Sequence, residues 1–179
     1  STTSTVTVRL ADANGNLLTA SGGTVALSST GSATVSAVTN NNNGTYTATV
    51  TNTVAESVTI SGTLDGAAIT DTAAITFTVG AADPTNSNTT LVAAPTSVVA
   101  NGSTTSSVTV RLADANGNLL SASGGTVALS STGSATVSAV TDNANGTYTA
   151  TVTNTVSESV TISGTLDGAA ITDTATITF

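Results

Sequence analysis

The chain has 179 residues and a net charge of −8, because ten acidic residues outnumber Arg9 and Arg111. It contains no histidine, cysteine, methionine, tryptophan, lysine or glutamine. These absences exclude Ser–His and Cys–His nucleophile pairs, Schiff-base lysines and imidazole or thiolate metal sites, so we predict that the chain is not an enzyme. Two arginines in an acidic chain cannot neutralise a phosphate backbone, so nucleic acid is not an expected partner.

The hydrophobic residues are ordered along the chain, although they are few. Mean hydropathy is +0.29 and only 7% of residues are charged, so charge repulsion does not oppose folding. No run approaches the roughly 18 apolar residues of a membrane span, so we expect no membrane insertion of this chain. The composition therefore indicates a folded domain.

An internal repeat organises the chain, since residues 1–77 recur at 103–179 with a period of 102. A period near 100 residues is typical of one whole β-sandwich domain. None of the six differences replaces a large apolar residue. The differing pairs are Thr5/Ser107, Thr19/Ser121, Asn40/Asp142, Asn42/Ala144, Ala55/Ser157 and Ala74/Thr176.

We interpret residues 1–79 as one domain, residues 80–90 as a short polar linker and residues 91–179 as a second domain. The apolar run 91–99 is the predicted opening strand of the second domain, and Pro95 confines it to a sheet edge or a bulge. Because the first copy begins at Ser1, which matches Ser103, it has no counterpart of this strand. We expect such a copy to be prone to strand exchange, and the pattern suggests a window from a longer array.

The second copy alternates apolar and polar residues with a period of two, which predicts strands. In chain order, the predicted strands run through Val108–Leu112, Val127–Leu129, Val137–Ala139, Thr147–Thr153, Val160–Leu166 and Ile171–Phe179. Gly, Asn and Asp turns separate them, and Asp167-Gly168 indicates a two-residue hairpin. With the opening strand, this predicts an all-β fold of two tandem immunoglobulin-like sandwiches, each with one tyrosine and one phenylalanine in its core.

The turns and strands together resemble a known family. The pieces are Val108 to Asn118 with its Asp-Ala-Asn-Gly-Asn turn, Gly125–Leu129, Thr141 to Tyr148 and Val160–Ser163. This pattern is similar to the bacterial immunoglobulin-like repeats of the invasin and intimin type, which occur in large surface adhesins.

The resemblance implies a stalk at the extracellular surface of a bacterium, in which neighbouring identical repeats are the partners and a distal domain carries adhesion. Near-identity of the copies independently favours a spacer, because each duplication adds length. The alternative is weak, multivalent binding of a glycan or host protein by the repeats themselves, since identical copies also favour avidity.

Two acidic features are candidates for calcium. The turns Asp12–Asn16 and Asp114–Asn118 begin like a calcium loop, but glycine is fourth and no glutamate closes the loop as in an EF-hand. We interpret them as hairpin turns in which Asn-Gly supplies a positive φ. Asp83 is the second candidate, because it can join Asp65, Asp71 or Glu56 in an interdomain calcium site; the interpretation favoured here is a solvated linker.

Other candidate residues have structural interpretations. Asp71 and Asp173 are in phase with inward positions, which predicts a bulge or a carboxylate that caps backbone N–H groups rather than a catalytic pair. The Thr-x-Thr runs at 45–51 and 147–153 are weighed as an ice-binding array and interpreted as exposed strand faces. The sequons at Asn43, Asn88, Asn101 and Asn145 are interpreted as turns. We assign no catalytic, cofactor or metal residues and expect no resident cofactor.

Overall fold

A computed structural model describes residues 2–179. The chain forms two compact units, of which the first ends at Thr78 and the second spans Val79–Phe179. All paired strands named below are antiparallel. Among the described residues, no helix is long and apolar enough to span a membrane. The all-β prediction is confirmed.

Residues 2–78 form two sheets. The strands are β1 (Thr2–Arg9), β2 (Val25–Ser29), β3 (Thr34–Val35), β4 (Thr39–Asn40), β5 (Thr45–Asn52), β6 (Ser57–Leu64), β7 (Ala67–Ala68) and β8 (Ala73–Thr76). In the first sheet, β5 is central, with β1 on one side and the short β3 and β4 on the other. In the second sheet, β6 is central and pairs with β2, β7 and β8.

The second unit repeats this arrangement and adds one strand. Its strands are β9 (Thr90–Ala94), β10 (Ser106–Arg111), β11 (Val127–Ser131), β12 (Thr136–Val137), β13 (Thr141–Asp142), β14 (Thr147–Thr153), β15 (Ser159–Leu166), β16 (Ala169–Ala170) and β17 (Ala175–Thr178). Strand β9 extends the first sheet by pairing with β10. Within residues 2–78, β1 has no corresponding neighbour on that side.

The opening segment of the second unit crosses from one sheet to the other. After β9 ends at Ala94, Ser97 forms a parallel bridge with Thr178 at the end of β17. The N–H of Val98 donates to the carbonyl of Thr178, and the N–H of Thr178 donates to the carbonyl of Thr96, each at 2.9 Å. Pro95 lies at this crossing, just beyond the end of the edge strand β9. A proline is tolerated there because it has no N–H to donate to a neighbouring strand.

Inward-facing aliphatic residues of both sheets form each core. In the second unit, Val108, Val152 and Ile162 are fully buried, and period-two alternation places them on the inner faces. Tyr148 and Phe179 are 2% and 6% exposed, so the predicted aromatic core residues are confirmed. The Tyr148 hydroxyl accepts from the N–H of Gly124 and donates to the carbonyl of Gly125, which satisfies its polar end.

Two kinds of predicted turn have the expected geometry. Asp65 and Gly66 both have positive φ, at 49° and 84°, as do Asp167 and Gly168. This pair of left-handed residues joins β6 to β7, and likewise β15 to β16, in the tight hairpin that Asp-Gly favours. The hairpin prediction is therefore confirmed.

The structure differs from the sequence interpretation at residues 80–90. This segment is hydrogen-bonded to the second unit: the N–H of Asp83 donates to the carbonyl of Ala113 at 2.8 Å, and the N–H of Thr172 donates to the carbonyl of Pro84 at 3.1 Å. The segment thus lies on the second unit instead of forming a free, solvated linker. Its polar residues supply backbone and side-chain contacts, which composition alone does not distinguish from solvation.

In the 179-residue chain, we expect residues 2–78 to unfold at a lower temperature than the second unit, because these residues include no strand that corresponds to β9. Ile60→Val and Ile162→Val make a matched pair, since each removes one methyl group from a buried position and costs about 1 kcal/mol. In calorimetry, Ile60→Val should lower the first transition by about 5 °C and Ile162→Val should lower the second by a similar amount. A wild-type scan with one transition that both variants shift equally would contradict this.

Candidate functional site

The turn Asp12–Asn16 uses its carboxylate internally. Asp12 Oδ1 accepts from the backbone N–H groups of Asn14 and Asn16, and Oδ2 accepts from Asn16 Nδ2, all at 2.9 Å. The side-chain and backbone hydrogen bonds from Asn16 lower the pKa of Asp12. Gly15 has φ +85°, so the turn interpretation, with Asn-Gly supplying a positive φ, is confirmed.

The equivalent carboxylate of the second unit is buried. Asp114 is 2% exposed, and its Oδ2 also accepts from the N–H of Gly80 at 2.8 Å. Burial raises the pKa of Asp114, but hydrogen bonds from the Asn118 side chain, the Gly80 N–H and the backbone of Asn118 and Asn116 outweigh it and lower the pKa to about 2. Asp114 therefore ties the segment that enters the second unit to this turn.

The two glutamates hold a different turn in each unit. Glu56 Oε1 accepts from the N–H of Ser32 and from Asn52 Nδ2, and Glu158 makes the equivalent bonds to Ser134 and Asn154. These bonds lower the pKa of both glutamates. The main cause is the Ser32 N–H for Glu56 and the Asn154 side chain for Glu158. Both glutamates thus join two loops of their own unit.

Asp83 caps the segment in which it lies. Its Oδ1 accepts from the backbone N–H of Thr85 at 2.8 Å and from the Thr85 hydroxyl at 2.7 Å. These bonds, with the hydroxyl contributing most, lower the pKa of Asp83. Among the described residues, no group of three or more carboxylates has the geometry of a metal site. Interdomain calcium at Asp83 was the less favoured alternative, and it stays untested.

Asp71 and Asp173 occupy the same place in the two units but have different partners. Asp173 Oδ2 accepts from the N–H of Leu91 in β9 at 2.9 Å, and its Oδ1 accepts from the N–H of Thr174. The prediction that this carboxylate caps backbone N–H groups is confirmed. The predicted inward position is wrong, because both aspartates are exposed and precede β8 and β17. Asp71 is exposed, and its Oδ1 accepts from the N–H of Thr72 at 3.0 Å.

A cleft lies beside Asp71 in the first unit. It encloses about 150 Å³ between β1 and the β6–β8 side of the sandwich, and its apolar lining includes Val6, Leu27, Ile60 and Ile69. Sequence analysis did not identify this cleft, although the missing opening strand was the available signal. In the second unit, Leu91 and Ala93 of β9 are buried beside the equivalent β10.

Threonines form cross-strand rows on the outer face of the first sheet. One row joins Thr7, Thr47 and Thr39, and another joins Thr3, Thr51 and Thr34. Neighbouring strands of a sheet generally rotate by roughly 20–25° relative to one another, whereas an ice lattice requires a flat array, so the ice-binding interpretation is not favoured. The arrangement fits exposed strand faces.

The four sequons have turn geometry. Asn43 Oδ1 accepts from both the N–H and the hydroxyl of Thr45, and Asn145 does the same with Thr147. Asn101 Oδ1 accepts from the N–H of Ser103 at 3.0 Å. Asn88 donates from Nδ2 to the carbonyl of Gly117 at 2.9 Å. The side chains are engaged in local turns or, for Asn88, in holding the entering segment.

The comparisons with known proteins point to one family. The family described as invasin, domain 3 matches residues 1–80 and 83–179. A search of the curated proteins finds no match. The predicted resemblance to invasin-type repeats is therefore confirmed.

Solved structures of bacterial proteins share the fold. Invasin, described as a bacterial integrin-binding protein, is 26% identical over 99% of this chain and 36% of its own, with a TM-score of 0.65. InvD of Yersinia pseudotuberculosis is 30% identical over 99% of this chain and 52% of its own, with a TM-score of 0.60. FdeC, an Escherichia coli adhesin, is 28% identical over 98% of this chain and 58% of its own, with a TM-score of 0.66. The chain thus spans about a third to three fifths of these proteins, and the immunoglobulin-like sandwich prediction is confirmed.

We expect Asp114 to make the second unit sensitive to acid. Its folded pKa of about 2 lies below the ordinary 3.8, so its stabilisation is complete above about pH 4 and is lost as pH falls toward 2. Asp114→Asn should lower the free energy of unfolding of the second unit by about 2 kcal/mol at pH 7, because a buried amide cannot accept all the hydrogen bonds that the carboxylate accepts. It should also flatten the loss of stability between pH 4 and pH 2.

Asp12→Asn is the matched control, because Asp12 is exposed and is not bonded to a Gly80 equivalent within residues 2–78. Asp12→Asn should lower the unfolding temperature of the first unit by less than Asp114→Asn lowers that of the second unit. Thermal unfolding at pH 7, 4 and 2.5 measures both effects. Equal losses for the two variants would contradict the role of burial and of Gly80.

Proposed function

Since the chain belongs to the family of invasin domain 3, we propose that it is a non-catalytic spacer segment of a bacterial surface adhesin, exposed outside the cell. The observation that carries the proposal is the internal use of its carboxylates, which bond to turns of their own unit at matching positions in both repeats. A spacer needs such self-contained units, whereas a ligand site needs polar groups that converge on an open pocket.

The repeat supports this role. Six differences over 77 aligned residues preserve the core and the turn carboxylates, so each copy retains the features that make it fold. The alternative, multivalent binding by the repeats, would be favoured by exposed aromatic side chains, which are enriched among the residues that contribute most to binding at interfaces. Both tyrosines and both phenylalanines are buried, which leaves no aromatic side chain to anchor a partner in the described part of the chain. The spacer is therefore the better-supported function.

A spacer in an adhesin carries tension, and the second unit contains a suitable element. Its entering segment and its last strand β17 are joined in parallel at Ser97 and Thr178. Pulling on the two ends of this unit loads the hydrogen bonds from Val98 to Thr178 and from Thr178 to Thr96 along the strands, in shear. These bonds must break together, so the unit resists extension.

We expect the two units to differ in single-molecule force spectroscopy. The second unit should unfold at the higher force, because residues 2–78 contain no equivalent parallel bridge. At roughly 3.5 Å per extended residue, its extended length should be about 35 nm, against about 27 nm for the first unit, and each observed increment is shorter than this by the end-to-end distance of the folded unit. The force at which a unit unfolds depends on its unfolding rate. Measuring this force at several loading rates therefore gives the unfolding barrier of each unit.

Val98→Pro provides the test of the bridge, because it removes the N–H that donates to the carbonyl of Thr178, and Ser87→Pro in the exposed part of the segment is its control. Val98→Pro should reduce the higher unfolding force, whereas Ser87→Pro should leave it nearly unchanged. Extension of the wild-type chain without a resolvable force peak would contradict a load-bearing spacer.

A further inference from the structure

The four Asn-x-Ser/Thr sequons differ in which atoms of the asparagine side chain are already hydrogen-bonded. The asparagines, all exposed, are Asn43, Asn88, Asn101 and Asn145. N-linked glycosylation attaches a sugar to the side-chain nitrogen Nδ2 of such an asparagine in a surface loop. The hydrogen bonds of Nδ2 therefore decide which sequons can accept a sugar in the folded chain.

At two of the sequons this nitrogen is engaged. Asn88 Nδ2 donates to the carbonyl of Gly117 at 2.9 Å and so holds the segment that enters the second unit. Asn101 Nδ2 donates to the Thr104 hydroxyl at 2.9 Å. A sugar on either nitrogen would compete with a bond that fixes a loop.

At the other two sequons only the side-chain oxygen is engaged. Asn145 Oδ1 accepts from the Thr147 N–H at 3.1 Å and from the Thr147 hydroxyl at 2.6 Å, and Asn43 Oδ1 accepts from Thr45 at the same two distances. Within residues 2–179, Nδ2 of these two asparagines donates to no protein acceptor. The turn thus uses the oxygen of the amide and leaves its nitrogen to solvent.

Both asparagines lie at the tip of a hairpin. The Asn143 N–H donates to the carbonyl of Thr147 at 3.1 Å, which closes the loop between β13 and β14. Gly146 in this loop has φ +80° and is buried, and a Cβ built on it would collide with the carbonyl of Leu120. Because the glycine is held against the body of the unit, the exposed Asn145 side chain is presented outward.

We propose that Asn43 and Asn145 are acceptor sites for N-linked glycosylation, one in each repeat. The substrate is an activated sugar whose anomeric carbon is bonded to the phosphate of a nucleotide or of a lipid carrier. Nδ2 forms a bond to the anomeric carbon, the bond from this carbon to the phosphate oxygen breaks, and the phosphate leaves with the electron pair. The proton that Nδ2 loses passes to a base of the transferase.

The turn suits this reaction and survives it. Loss of a proton from Nδ2 places negative charge on Oδ1, where the N–H and hydroxyl of Thr45 or Thr147 already donate and stabilise it. The glycosylated amide keeps its carbonyl oxygen, so both bonds remain. The modification adds to the spacer function, since a glycan is bulky and solubilising on a chain of which only 7% of residues are charged.

The direct test offers the full chain, produced without N-glycosylation, to two sugar donors. One arm contains a soluble asparagine glucosyltransferase and UDP-glucose, and the other contains a membrane oligosaccharyltransferase and a lipid-linked oligosaccharide. Peptide mapping by mass spectrometry should find the sugar on Asn43 and Asn145 before it appears on Asn88 or Asn101. The mass that is added identifies the class of donor.

Synthetic peptides of residues 84–92 and 141–149 separate the effect of the fold from that of the local sequence. In the peptide, Asn88 Nδ2 has no Gly117 carbonyl to bind. The ratio of the initial rate at Asn145 to that at Asn88 should therefore be about tenfold larger in the folded chain than in the peptides, because Asn88 must first give up a hydrogen bond in the chain.

Variants in β14 test the role of the hydroxyl. Thr147→Ala should abolish modification of Asn145 and leave that of Asn43 unchanged, whereas Thr147→Ser should retain both. Thr149→Ala is the matched control, because it removes a hydroxyl from the same strand outside the sequon, and it should leave both sites modified. Thermal unfolding of each variant confirms that it is folded.

Three results would overturn the proposal. They are the absence of sugar from Asn43 and Asn145 of the folded chain in both arms, an equal ratio of rates in the chain and in the peptides, and undiminished modification of Asn145 in Thr147→Ala. All three are read from mass, whereas the spacer function is tested by unfolding force, so either proposal can fail without the other.

Discussion

The contact on which the structure most depends is the passage of residues 89–99 across the second sandwich. This one segment pairs with β10 in the first sheet and with Thr178 at the end of β17 in the second. By bridging the sheets it completes the burial of Ile171 and Ile177, brings Leu91 to the Asp173 carboxylate and sets up the parallel contact that takes load in shear. The first unit shows the same sequence without this segment, with its counterparts of those isoleucines only partly buried.

The acidic residues are best understood as parts of turns. A chain without disulfide-forming cysteines must hold its loops by other means, and here carboxylates accept backbone N–H groups that the sheets leave unpaired. Asp12, Glu56 and their repeats each bond to two or more donors. Their pKa values are lowered because the ionised form accepts these bonds. The net charge of −8 therefore includes groups that stabilise the fold.

Much of the fold follows from local sequence, and the exceptions share one cause. Alternation predicted the long strands, and Asp167-Gly168 and Asn116-Gly117 predicted turns, because each signal acts within a few residues. The polar run at 80–90 was interpreted as a linker, yet Asp83 and Asn88 bond to the turn at 113–117. That outcome depends on partners some 30 residues away. The cleft beside Asp71 was missed for the same reason, since it exists only where two sheets meet.

Because the two copies are nearly identical, the chain contains its own comparison of one sequence in two environments. Val8 and Val110, or Asp71 and Asp173, differ in burial and in partners although the residues around them in the repeat are the same. The difference must therefore come from the presence or absence of the covering segment. In the second unit the segment buries Ile171 and Ile177 and gives the Asp173 carboxylate a second backbone partner. The opening segment is therefore part of the core of the unit that it covers, and it also supplies the parallel contact with β17 that resists extension.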